Sequence, residues 1–94
     1  VSAIVPVADV GELGARALSL EVNGEVRQRG TLADLVWNVP EILHELSRLY
    51  ALRAGDLIYM GTPSGVGSLR PGDCYLAVLE GVAELHGHII PAPV

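Results

Sequence analysis

The stretch "ALSLEVNGEVRQR", Ala17 to Arg29, decides the fold. Asn23-Gly24 separates two runs of strand-forming residues. That pair is the strongest short-range hairpin signal, because both central residues of a type I′ turn require positive φ. The stretch therefore predicts two antiparallel strands, Ala17–Val22 and Glu25–Arg29, joined by a two-residue turn. Further along, Asn38 and Pro40 precede Ile42, Leu43, Leu46, Leu49 and Tyr50, a spacing that lines one face of a helix. Asn38 or the residue after it supplies the cap, and Pro40 suits the first turn, where its missing N–H costs nothing. The helix is expected to end near Ala51 or Leu52, with its apolar stripe buried around Leu46.

Beyond the helix, Leu57–Met60 reads as a short apolar strand entered from the Ala54-Gly55-Asp56 turn. A second turn at Arg70-Pro71-Gly72-Asp73 leads into alternating Tyr75, Ala77 and Leu79, and Val82–Ile90 reads as a returning strand. Pro91-Ala92-Pro93 cannot continue a sheet. The fold class is mainly β with one amphipathic helix.

The 94 residues suit one small domain, and a domain of that size buries only about 60 to 65% of its unfolded surface. Half the residues are hydrophobic and 18% are charged, so the chain is no disordered tail. That much apolar content implies surface meant for a partner, either another part of a longer chain or a second subunit. A first residue that is valine rather than methionine points the same way.

The net charge is −5 and all six basic residues are arginines, scattered from Arg16 to Arg70. They form no basic stripe for a phosphate backbone, so nucleic acid is not an expected partner. Cys74 is the single cysteine. It excludes an internal disulfide, fits a reducing compartment and, with no basic neighbour in sequence, reads as an inert buried thiol. No apolar run approaches the ~20 residues of a membrane helix, and no leader precedes a cleavage site. The expectation is a soluble, cytoplasmic protein with no membrane partner.

The chemistry concentrates in "GDLIYMGTPSGVGSLRPGD", Gly55 to Asp73, where glycines and prolines crowd around Thr62. No lysine follows Gly61, so this is no P-loop. Gly65-Val66-Gly67 lacks the third glycine of a dinucleotide fingerprint, and Ser64 lacks the glycine spacing of a nucleophile elbow. Two readings remain. The glycines can let the backbone approach a ligand closely while Thr62 and nearby N–H groups point at an anionic oxygen such as a carboxylate, or the segment is a plain surface turn.

Elsewhere the simple readings suffice. His86 and His88 share one face of a strand but lack a third metal ligand, which makes them solvent-facing histidines. His44 flanks the helix stripe. Glu41 and Glu45, with no cation opposite, read as a solvated helix face. Trp37 and Tyr50 read as packing residues.

The landmarks "VNGEVRQ", "VPEILHELSRLYALRAGDLIYMGTPSGVG" and "PGD" occur in one order and at one set of spacings. In that, the chain from about Ser2 to His88 resembles the C-terminal half of the fumarylacetoacetate hydrolase family. Its "WNVPEILHELSRLYALRAGDLIY" is most similar to that of the fumarylpyruvate hydrolases of bacteria. The resemblance implies that residues 1–94 are the C-terminal portion of the catalytic domain, part of a mixed β-sandwich roll. It implies a metal-dependent enzyme, and expected to act as a homodimer, that hydrolyses a carbon–carbon bond in an acylpyruvate-type acid of aromatic catabolism. It further implies Mg²⁺ or Mn²⁺ held by three carboxylates, a histidine–glutamate pair that activates water, and a lysine, all in a part of the domain that precedes this chain.

On that reading the chain contributes no catalytic residue and no metal ligand and is inactive alone. Its share of the site is the substrate-binding Gly61, Thr62 and Pro63, with Thr62 donating to a small organic acid. Two departures stand out: Thr31-Leu32 where the family often has Asn-Thr, and Met60 where threonine is common. The alternatives are a non-catalytic module pairing through the helix, or a family decarboxylase or isomerase of 2-oxo or 2-hydroxymuconate-type diacids.

Overall fold

Asn23 and Gly24 have φ of 53° and 82°, the positive pair that a type I′ turn demands. In the computed structural model, which describes residues 1–93, this turn joins β1 (Ala17–Val22) to β2 (Glu25–Thr31). β3 (Cys74–Leu79) and β4 (Ala83–His88) form the second hairpin, and the sheet order is β2-β1-β3-β4, antiparallel throughout. The Val82–Ile90 expectation is met within two residues at each end.

Register decides what each face carries. Leu20 pairs with Gln28 but Glu21 pairs with Val26, so Arg27 is an extra residue bulged out of the ladder. Without it, Arg27 would stand opposite Leu20. With it, Gln28 and Gly30 share the face of Leu20 and Leu18. Across β3 and β4 that face continues through Tyr75, Ala77, Leu79, Leu85 and Gly87. The ring and hydroxyl of Tyr75 lie over Gly87, in the space that a side chain there would need.

Burial is thin. Val22, at 1% exposure, is the largest fully buried side chain among the described residues, and Val10 at 9% is the other buried apolar one. A compact monomer of 9.9 kDa exposes about 5,200 Å², whereas this chain exposes 7504 Å². Its radius of gyration of 15.4 Å likewise exceeds the ~12 Å of a compact domain of this length. Much of the apolar face is therefore open.

The helix α1 (Val39–Leu49) starts where the sequence indicates. The Glu41 N–H donates to Asn38 Oδ1 at 2.9 Å and the Asn38 N–H donates to Glu41 Oε1 at 3.2 Å, a capping box with Pro40 in the first turn. It stops before Ala51 because Tyr50 is already extended, with φ of −134°. No residue of α1 is buried, which corrects the expected burial of its stripe. Ile42 and Leu46 are half-buried, while Leu43, Leu49 and Tyr50 are exposed. A stripe is sheltered only by what packs on it, and no described strand packs closely along α1. No described helix is long and apolar enough to cross a membrane.

Three further expectations are corrected. Leu57–Met60 is no strand: it crosses as irregular chain, with Leu57 and Tyr59 exposed, because no described strand pairs with it. Cys74 is exposed rather than buried, since it sits on the outer face of the β3 terminus. Glu45 does meet a cation, Arg48 one turn later at 3.3 Å, rather than standing on an uncompensated acidic face.

One knot ties the ends of the sheet together. Asn23 Nδ2 donates to Asp73 Oδ1 at 3.0 Å, the Cys74 N–H donates to Asn23 Oδ1 at 2.9 Å, and the Arg70 N–H donates to Asp73 Oδ2 at 2.9 Å. The Arg70 N–H first, then the Asn23 amide, hold the Asp73 carboxyl below its usual value. A depressed carboxyl stabilises the fold above its unfolded pKa of about 4 and ceases to as pH falls through the lower folded value. In the whole protein, the denaturant midpoint should therefore fall more steeply below about pH 5 for wild type than for Asp73→Asn. Parallel slopes in urea titrations would remove Asp73 from the account of acid stability.

Candidate functional site

Past Gly30 the chain leaves the sheet through the 3-10 turn Leu32–Asp34, where the Thr31 N–H donates to Asp34 Oδ2 at 3.0 Å. This turn, the start of α1 and the segment Met60–Ser64 enclose a hollow of about 620 Å³. That is ample for a small organic molecule. Leu18, Leu32, Leu35, Trp37, Ile42 and Met60 give it an apolar lining, and Thr31, Asp34, Thr62 and Ser64 contribute polar groups. Arg29 borders it through β2, but by register it shares the face of Ser19, opposite that of Gln28 and Gly30.

The loop is held by β2. Gln28 Nε2 donates to Thr62 Oγ1 at 2.9 Å and to the Pro63 carbonyl at 2.7 Å. Pro63 lies against Gly30, within ordinary van der Waals reach of where a side chain would stand. Gly65, at φ of 103°, then passes so close to β2 that a side chain on it would collide with the Arg27 carbonyl oxygen. Here the glycine serves both its positive φ and the close approach. Among the described residues, the N–H groups of Gly61, Thr62 and Ser64 have no backbone acceptor.

Gly61, Thr62 and Pro63 thus all line the hollow, and so do Leu32 and Met60, the two departures noted in the sequence. Trp37, read as a packing residue, is 47% exposed and lines it too. His86 and His88 are exposed on the opposite face of the sheet. His44 lines a separate hollow of about 480 Å³ with Trp37, Pro40, Glu41 and Glu45. Sequence reasoning missed Gln28. A polar residue on the strand after an Asn-Gly turn was the available signal, but its facing depends on the bulge at Arg27. Among the described residues, no His, Cys, Asp and Glu side chains group in threes to hold a metal ion.

This is the fold and loop of the fumarylacetoacetate (FAA) hydrolase family: residues 2–90 match its C-terminal family, and the chain belongs to it. The chain is 45% identical over 91 residues to a fumarylpyruvate hydrolase of Ralstonia, a match covering 97% of this chain and 47% of that protein. A mitochondrial oxaloacetate tautomerase of Rattus norvegicus is 39% identical over 85 residues, covering 90% of this chain and 38% of the relative. Among solved structures, the fumarylpyruvate hydrolase from Pseudomonas aeruginosa in complex with Mn²⁺ and pyruvate superposes with a TM-score of 0.86 at 41% identity. That superposition covers 90% of this chain and 36% of the other. The chain thus spans less than half the length of these relatives.

The crossing at Gly65 is the most constrained point of the loop. Gly65→Ala should destabilise the whole protein by at least about 1 to 3 kcal/mol from its backbone conformation alone, measured by chemical denaturation. A midpoint unchanged from wild type would mean that the loop does not cross β2 there.

Proposed function

We propose that the protein carrying this chain is a divalent-metal-dependent hydrolase that cleaves an acylpyruvate, with fumarylpyruvate as its substrate. In that reaction water adds to the acyl carbonyl, the bond to the pyruvate methylene breaks, and fumarate and pyruvate leave. Residues 1–94 serve as the C-terminal portion of the catalytic domain and supply the pocket for an acid end of the substrate. The metal ligands and the group that activates water are assigned to the remainder of the domain.

The observation that carries this reading is Thr62. It lines a hollow sized for a small acid, and the N–H groups of Gly61, Thr62 and Ser64, all in that lining, have no backbone acceptor among the described residues. Such donors favour a carboxylate. The similarity along 97% of the chain to a fumarylpyruvate hydrolase supports the choice of substrate, and a relative crystallised with Mn²⁺ and pyruvate supports the choice of metal and product. The open stripe of α1 and the excess of exposed surface support cover by further protein, which we assign to the rest of the domain and to a second copy; the assembly proposed is a cytoplasmic homodimer.

The test is an assay of the whole protein on a panel of acylpyruvates and oxaloacetate, with Mg²⁺, with Mn²⁺ and with chelator. The expected result is metal-dependent release of pyruvate, fastest from fumarylpyruvate. Oxaloacetate tautomerisation or decarboxylation with a higher kcat/KM would replace the hydrolase by that activity. Thr62→Val keeps the β-branched shape but deletes the donor. Loss of one charge-assisted hydrogen bond, about 1.5 to 3 kcal/mol, predicts a roughly 10- to 150-fold drop in kcat/KM. An efficiency within about twofold of wild type, in a folded variant that binds metal normally, would return Thr62 to a purely structural role.

A further inference from the structure

We infer that Gln28 is a positioning residue that aims the Thr62 hydroxyl hydrogen into the hollow. The inference rests on the organic-acid reading of that site. The Pro63 carbonyl can only accept. At 2.7 Å from the Gln28 side chain, it fixes the amide so that Nε2, not Oε1, faces the loop. The same nitrogen lies 2.9 Å from Thr62 Oγ1. An amide nitrogen has hydrogens and no acceptor capacity, so the hydroxyl must accept from it.

A threonine hydroxyl has one hydrogen to give. Since it cannot point toward Nε2, and since among the described residues it has no other acceptor, that hydrogen is left for whatever enters the hollow that Thr62 lines. A lone hydroxyl would rotate freely. Here the rotor is set in advance as a donor, which removes the cost of orienting it when an anionic oxygen arrives. Gln28 itself is absent from the lining of the hollow, so it acts through Thr62 rather than by touching the ligand. The bulge at Arg27 makes this possible, because it brings Gln28 onto the loop-bearing face.

The test measures pyruvate affinity by calorimetry in the whole protein with Mn²⁺ present, for wild type, Gln28→Met, Thr62→Val and the double variant. Gln28→Met keeps the length of the side chain and deletes the donor. It should weaken pyruvate about 3- to 10-fold, the net worth of one ordinary hydrogen bond. In the Thr62→Val background the same change should cost less than about twofold, since the hydroxyl it aims is gone.

Gln28→Glu adds a signature that a mere loop staple cannot give. Its carboxylate would draw the hydroxyl hydrogen away from the hollow. Pyruvate should then bind more weakly than to the methionine variant and regain affinity as the pH falls and that carboxyl protonates. Should these variants fail to fold, a wild-type crystal with Mn²⁺ and pyruvate decides. Thr62 Oγ1 must lie within about 3 Å of a ligand oxygen while Gln28 Nε2 stays on it.

An equal loss in both backgrounds, an unchanged affinity in a less stable Gln28→Met, or a Thr62 turned away from pyruvate would each overturn the inference and leave the functional reading standing. Pyruvate binding with the expected coupling but no acylpyruvate hydrolysis would overturn the hydrolase and leave Gln28 in its role. A wild-type protein that does not bind pyruvate in this hollow overturns both.

Discussion

One extra residue governs what this sheet presents. A strand alternates faces with a period of two, so a single insertion exchanges every side chain beyond it. At Arg27 that exchange brings an uncharged amide and then Gly30 against the loop, and the arginine is left outside the ladder. The consequences are chemical: a guanidinium has five donors in a rigid fork and carries charge, whereas the amide offers Thr62 and Pro63 two hydrogens without charge. The neighbouring glycine gives Pro63 a seat, and Gly65 can then run along the strand backbone. The positions of the hydroxyl, the proline and the hollow all depend on that register.

Features determined by local backbone chemistry were legible in the sequence. Asn23-Gly24 requires its turn wherever it is placed, and Asn38 with Glu41 closes a helix end using only neighbours in sequence. The glycine density around Thr62 marked the loop correctly. Features that need a partner distant in the chain were not legible. Leu57–Met60 has the composition of a strand but no strand to pair with, and the α1 stripe has the period of a buried face without the cover. Gln28 combines both cases: its residue type was visible, but its facing was set by a bulge that nothing in "EVRQR" announces.

The energetic picture is of a chain whose stability is shared with its surroundings. A single fully buried valine cannot offset the conformational entropy of ordering a small domain. Antiparallel pairing satisfies the backbone, but the apolar face of Leu18, Leu20, Ala77 and Leu85 and the stripe of α1 are half open. Of these surfaces, Leu18 and Ile42 also line the hollow. Contacts that covered them would complete the core and, at Leu18 and Ile42, also shape the hollow beside Thr62.

The connection from Tyr50 to Asp73 contains no regular element, which makes it longer than the ~12 to 15 residues at which structureless connections become uncommon. Gln28 holds its middle, where Gly65 crosses β2, and Asn23 holds its end at Asp73. A segment fixed at so few points can detach while the ladders beneath it stay paired. The Thr62 loop and the sheet are in that sense separate cooperative units, and amide hydrogens near Thr62 are expected to exchange through local openings that leave those of β1 and β3 protected. A loop held this way can open and close on its own timescale, without calling on the far slower unfolding of the strands that support it.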